Sequence, residues 1–431
     1  MADTDLLFLE SGNFSVGFRV QTDLTTPAAT GTATDWEWLD AIVQGPPTWA
    51  YEEGTDPKSS GQRGAKARKS VGRKVGTWPI RVEMPGQLVA YDPTSDSVVA
   101  VGAWKLLFGA LGASAQGAYA ANGVKALAGG STANQIDTTE ALKLGLAYAI
   151  AQGASSSAIR CIGIIESVAG GLAQLAFDMN AVPVEADNLY AMLTAWPAKA
   201  DSEAYTFRLC GELAAQDHRY IGSVLELCEL TWDSSGRVYG DFTLTIYAGQ
   251  DKGSDGGLKD LSGPYKQIDE YSGLGNAHLV IGQTVRTALD DGTADDGVCG
   301  TTNHKLTMNF GPHRTVTCPG ATERVGAVAL RAPDIMVSFD ADDSPSWEDA
   351  DGVNLFESYY KSQEAVPYAL TVGATAGCCF GVHIPGALVT KCGDATIDGA
   401  KGYNVELVPG PNTGDGASTN AGNKPFRIAI G

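Results

Sequence analysis

Hydrophobic and polar residues alternate along much of this chain in short runs. Between 75 and 84, Trp78, Ile80 and Val82 alternate with polar or turn-forming residues. A period of two is typical of a β-strand with one buried face. Similar runs of strand character occur at 14–20, 172–178, 205–209, 220–225, 243–246, 335–340, 368–372, 380–384, 402–407 and 425–430. The pattern predicts a mainly β protein.

Three segments depart from this period and indicate helices. Apolar residues between 101 and 111 recur at helical spacing, at Val101, Trp104, Leu107, Phe108 and Leu111, which predicts one amphipathic helix. Two shorter helices are predicted at 188–190 (Asn-Leu-Tyr) and 354–356 (Asn-Leu-Phe).

One order of predicted elements occurs twice. A strand, a loop with Pro and acids, a short helix and three strands follow one another from 172 and again from 335. The polar, Gly-rich segment 250–275 suits a linker. These features predict two tandem β-sandwich or barrel-like domains, at 1–250 and 270–431, each with a short helix packed on its sheet. The Ala/Gly-rich segment 113–157 fits neither pattern and is an insertion candidate.

Composition narrows the class of protein. The chain has 431 residues, 44% of them hydrophobic, and a net charge of -20. This surplus of acids argues against binding in nucleic-acid grooves and agrees equally with simple solubility. We expect no signal peptide and no membrane-spanning segment, because neither a basic leader nor a run of about 18 apolar residues occurs. The eight cysteines lack zinc spacing and are expected to be reduced thiols.

Positive charge is concentrated in one segment. Within the predicted loop 52–74, the stretch 58–74 contains seven basic residues and no acid. The rest of the chain holds 23 basic and 50 acidic residues, since 30 − 7 = 23. A basic segment and an acidic remainder favour head-to-tail contacts between copies of the chain.

Catalytic motifs are missing from the sequence. It has no Walker A loop, no nucleophile elbow and no paired histidines of a metalloprotease. Acids cluster at 340–351, where a calcium loop, a contact surface, a solvated loop and paired carboxylates for glycoside hydrolysis all remain open. This run lacks the Gly and Glu spacing of an EF-hand. We predict no catalytic residue, no metal and no cofactor.

Several segments, in their order along the chain, resemble the tail tube (major tail) proteins of long-tailed bacteriophages. They are the basic segment leading into a strand at 68–83, the Leu-Leu-Phe-Gly-Ala-Leu-Gly helix at 106–112, the Tyr-Ile-Gly strand at 220–222, the Gly-Arg-Val segment at 236–238 and the closing strand 425–430. The resemblance implies a structural virion protein, located in the phage tail after assembly in the host cytoplasm. In the family, six domains form a ring around a channel for DNA, and the long loop reaches the next ring.

A two-domain chain of this family would form a trimeric ring with pseudo-sixfold symmetry. Its partners would be copies of itself, other tail proteins and, transiently, passing DNA. The predicted inter-ring contact residues are Lys58, Arg63, Lys66, Arg68, Lys69, Arg73, Lys74, Asp340, Asp342 and Asp343. Two alternatives stay open: a capsid decoration or baseplate protein that forms closed oligomers, and a carbohydrate-binding or hydrolytic β protein that uses its Trp and Asp residues.

Overall fold

The computed structural model describes the chain from Ser15 to Gly431 with gaps. The described ranges are 15–24, 26–29, 36–39, 41–43, 46–55, 69–86, 102–111, 125–126, 129–132, 134–138, 142, 145, 147–151, 159–169, 171–176, 182–185, 187–197, 204–210, 218–232, 238–252, 266–267, 278–281, 284–287, 301–311, 314–317, 325–329, 333–343, 347–348, 352–373, 378–397, 399–410 and 425–431.

The protein is mainly β, with antiparallel sheets and two helices in the described residues, which confirms the predicted class. The helices are α1 (Gly102–Ala110) and α2 (Leu355–Ser362). The strands are β1 Ser15–Gln21, β2 Glu37–Leu39, β3 Ala41–Val43, β4 Thr48–Thr55, β5 Lys69–Glu83, β6 Pro85–Gly86, β7 Lys125–Ala126, β8 Gln135–Asp137, β9 Ala147–Ala151, β10 Ile159–Ala169, β11 Leu172–Leu175, β12 Asn188–Ala191, β13 Leu193–Ala195, β14 Ala204–Cys210, β15 His218–Trp232, β16 Tyr239–Lys252, β17 Lys266–Gln267, β18 His278–Ile281, β19 Thr284–Thr287, β20 Thr301–Asn309, β21 Arg314–Thr317, β22 Val325–Ala329, β23 Asp334–Asp342, β24 Val366–Val372, β25 Phe380–Ile397, β26 Ala400–Pro409 and β27 Arg427–Ile430.

Both helices have features that are visible in the sequence. The apolar residues of α1 make it almost wholly buried, including Trp104, Leu107 and Phe108. The side chain of Asn354 caps α2 by accepting hydrogen bonds from the backbone N–H groups of Phe356 and Glu357. The helices predicted at 101–111 and 354–356 are therefore confirmed.

The helix predicted at 188–190 is wrong, because these residues form strand β12. Their backbone pairs with β9, where Asn188 lies opposite Ala151 and Tyr190 opposite Ala149. The sequence resembles the capped start of α2, but the ladder of the neighbouring strand takes up the backbone groups that a helix would use.

One large antiparallel sheet contains most strands. Its central path runs β4–β5–β16–β15–β20–β23–β26–β25. β3 pairs with β5 beside β4. The buried face of this path and both helices share a single hydrophobic cluster. Trp78, Ile80 and Val82 of β5 point into that core, as their alternation predicted.

A smaller six-stranded sheet lies between α1 and β14 in the sequence, in the order β7–β12–β9–β10–β11–β8. It includes the described strands of the insertion candidate 113–157, which are β7, β8 and β9, and extends to Ala191. One face has its own core around Ile136 and Ile150. The other face packs Ala147 and Ala149 in a cluster with Ala369 and Ala429 of the large sheet.

Candidate assembly surfaces

The large sheet contains one order of strand pairings twice. In the first half of the sheet, β2 pairs with β1, β1 with β14, β14 with β15, β15 with β16 and β16 with β5. In the second half, β19 pairs with β18, β18 with β24, β24 with β25, β25 with β26 and β26 with β23. Each helix follows its half's β5 or β23 in the chain and packs on β15 or β25. The repeat therefore involves α1 rather than 188–190.

Irregularities in the ladders fix which residues of the halves correspond. The β14–β15 ladder shifts register between Tyr205 and Phe207, and the β24–β25 ladder shifts between Val366 and Tyr368. The β15–β16 ladder shifts between Leu225 and Leu227, as the β25–β26 ladder does between Val389 and Lys391. Both pairs of shifts align when Leu225 is matched with Val389. In this alignment, residue 228 matches residue 392. Both are cysteines, a sequence signal that could have revealed this register.

The pairing of β15 with β20 is a junction between the two halves inside the chain. The outer part of β15 pairs with β20, on the side that β14 occupies along the inner part. Cys228 lies opposite Met308, and Leu230 lies opposite Leu306. All four side chains are fully buried. The backbone N–H of Phe310 extends the ladder by donating a hydrogen bond to the carbonyl of Glu226 at 2.8 Å.

A neutral histidine lies at the end of this junction. The His304 ring, opposite Trp232, stacks between the rings of Trp232 (centroids 6.2 Å apart) and Phe339 (5.2 Å). Its Nε2 lies 2.9 Å from the Thr301 hydroxyl oxygen. Burial lowers the pKa of His304 to about 3. The second half therefore docks on the first through an apolar and aromatic contact that contains an uncharged histidine.

Among the described strands, the matching edge of the second half is open. In the described part of the chain, no strand pairs with β25 beyond Ala387 on the side occupied by β24. At the opposite end of the path, β3 and β4 pair only with β5 among the described strands. Open strand edges present unpaired backbone N–H and C=O groups, to which another strand can add.

Apolar side chains accompany both open edges. At one end, Trp49 is partly buried against the core and Tyr51 is 54% exposed. At the other end, Cys392 and Tyr359 are partly buried against the same core, and Tyr360 of α2 is exposed. The counterpart helix α1 is instead buried on nearly all sides. Apolar groups at an open strand edge are features of an interaction site.

The structure places few of the predicted basic contact residues. Lys58, Arg63, Lys66 and Arg68 lie outside the described residues. Strands β4 and β5 extend into the predicted loop 52–74, since β4 continues to Thr55 and β5 begins at Lys69. Lys69 and Arg73 are therefore residues of β5. Lys74 is exposed, and its ammonium lies 4.5 Å from the centre of the Trp49 ring.

The predicted acidic residues lie where β23 meets β26, and each has partners within the chain. Asp340 accepts hydrogen bonds from the amides of Asn303 (2.8 Å) and Asn404 (2.7 Å). Asp342 accepts one from the indole of Trp347 at 3.2 Å, while partial burial raises its pKa. Asp343 lies 3.0 Å from the Lys401 ammonium and accepts a hydrogen bond from the Tyr403 hydroxyl. The hydrogen bond from Lys401 holds the pKa of Asp343 below its usual value.

Two features of the described residues bear on other classes of function. They contain no group of three or more His, Cys, Asp or Glu side chains placed to hold a metal ion. Neither of their helices has the length and apolar character needed to cross a membrane.

Comparison with known proteins gives no assignment. No protein-family model matches the chain, and no curated protein is significantly similar to it.

Proposed function

We propose that this chain is a structural subunit that assembles with copies of itself into stacked rings, forming a bacteriophage tail tube through which DNA passes. The observation that supports it most is the repeated order of strand pairings, which among the described strands ends in an open edge on each side. Such a chain supplies two equivalent units to a ring, so three chains supply six. The resemblance of the sequence to tail tube proteins agrees with this arrangement.

The polar face of the large sheet suits the wall of a DNA channel. Opposite the buried core, basic side chains on this face are matched with acidic side chains on neighbouring strands. The ion pairs are Arg81–Asp241 (3.9 Å), Lys305–Glu229 (2.9 Å) and Lys391–Glu406 (2.8 Å). Because phosphate binding needs available cations, a wall of paired charges would let DNA slide without holding it.

The basic segment 58–74 is the proposed contact between rings. Lys and Arg side chains are attracted to an acidic surface, and the remainder of the chain is strongly acidic. Such contacts weaken with salt, because exposed charges are screened.

Electron microscopy of the purified protein tests the proposal. Negative staining over increasing protein concentration should show tubes with an axial repeat and a central hole. Replacing Lys58, Arg63, Lys66 and Arg68 by Glu should abolish tubes but leave rings, with unchanged circular dichroism as the control for folding. Tubes of wild-type length from this variant would refute the role of the segment. Closed rings at every concentration of wild-type protein would favour a decoration or baseplate protein.

A further inference from the structure

We propose that the open edge of β25, from Leu388 to Ile397, receives β3 and β4 of a second copy of this chain. The pairing would repeat between chains the junction that β15 and β20 form within one chain. This inference rests on the proposed self-assembly and adds its partner strand and register.

The register follows from the ladders of the two halves. Trp78 of β5 lies opposite Leu244, and Val337 of β23 lies opposite Leu407. Leu244 and Leu407 match, because they pair with the matched residues 225 and 389. Trp78 therefore matches Val337, and Gly76 matches Ile335.

The match extends in the same way from β5 and β23 to their partners β4 and β20. Met308 pairs with Ile335, and Trp49 pairs with Gly76. Trp49 is therefore the counterpart of Met308. Since Cys228 lies opposite Met308 within the chain, Cys392 is expected opposite Trp49 of the second copy.

Exposure of the matched side chains agrees with this register. Met308 and Phe310 are fully buried at the internal junction. Their counterparts are Trp49, which is partly buried, and Tyr51, which is 54% exposed. Both aromatic side chains are thus more exposed than the matching residues of the other half, Tyr51 strongly and Trp49 in part. A second copy would cover them and α2 together.

The two described edges differ, so a contact between them is heterologous. Such contacts form a ring when the rotation between neighbours closes, and a filament when it does not. Within the chain, the β15–β20 junction contributes to the rotation from one half to the next. Using the same junction between chains repeats that rotation, and six halves in three chains would complete the ring.

Cysteine cross-linking tests the register. Residues opposite each other in antiparallel strands have Cα atoms about 4.5–5.5 Å apart, within the range of a disulfide. Oxidation of Trp49→Cys should link this cysteine to Cys392 of a second copy and give reducible dimers and trimers on a denaturing gel. The double variant Trp49→Cys/Cys392→Ser and the neighbouring Thr48→Cys, whose side chain lies on the other face, should give at least tenfold less product.

A measurement on the unaltered chain guards against misfolding of the variants. Alkylation of Cys392, followed by peptide mass spectrometry, should be at least tenfold slower in assembled protein than in monomer at equal pH. An equal rate in both states would overturn the proposed register, as would equal cross-linking by Thr48→Cys. Cross-linked rings that never stack would leave this junction intact and refute the tube. Tubes in which Cys392 stays reactive would support the tube and refute this junction.

Discussion

Acid should destabilise the internal junction through one histidine, and the effect can be isolated. We consider His304→Phe in dilute, monomeric protein. The wild-type imidazole is buried between Trp232 and Phe339 and is held neutral. Phenylalanine keeps a planar ring in the stack and removes the titrating group. The lost hydrogen bond to Thr301 costs about 1 kcal/mol at every pH, so it cancels when two pH values are compared.

The size of the effect follows from the pKa difference. Burial gives His304 a folded pKa of about 3, against roughly 6.5 for an unfolded histidine. The folded pKa is the lower one, so the unfolded state binds more protons as pH falls below about 6.5. Stability is therefore complete above that pH and is lost towards pH 3. By linkage, the loss is about 2 kcal/mol at pH 5 and about 3 kcal/mol at pH 4.

Urea unfolding, followed by tryptophan fluorescence at pH 7.5 and pH 5, measures this loss. Other groups titrate equally in both proteins, so the difference between them isolates His304. Between these pH values, the wild type should lose about 2 kcal/mol more than His304→Phe. The same pH dependence in both proteins would refute a buried, neutral His304 at the junction.

Two further pairs of variants each compare a crowded position with a more open one. Met308→Ala should lower the free energy of unfolding of the monomer by about 2–5 kcal/mol, the usual cost of truncating a buried methionine. Trp49→Ala should lower the free energy of unfolding of the monomer by less. It should instead weaken ring association at least tenfold, as measured by sedimentation velocity. Gly222 has φ of 68°, and a Cβ there would lie 2.5 Å from the carbonyl oxygen of Leu24. Gly222→Ala should therefore lower the melting temperature more than Gly249→Ala, which has a positive φ but open space around it; equal shifts would contradict this reasoning.

Local patterns predicted elements better than their partners. The alternation in β5 and the helical spacing around Trp104 are properties of neighbouring residues, and both predictions are confirmed. The segment at Asn188 fails because its structure is decided by β9, a strand distant in the sequence. The repeated order of elements was predicted from the sequence, but its first helix was misplaced at 188–190, because strand pairing decides the structure of that segment.

The candidate site was predicted in part by residue type and hardly at all by position. Charge density singled out the basic segment, but Asp340 and Asp343 prove to have partners inside the chain. The open edges at Trp49 and Cys392 could not be predicted from the sequence. Whether a strand has one neighbour or two depends on the pairing of the whole sheet.

The small strand β13 has a mechanical consequence. It precedes β14 of the first half, yet it pairs with β27 along the second half, with Leu193 opposite Ile430. The halves are thus tied twice, once by β15 and β20 and once by β13 and β27. A single seam would let the halves swing about one line, whereas two separate seams resist bending and twisting. Under load, the chain should therefore respond as one stiff plate.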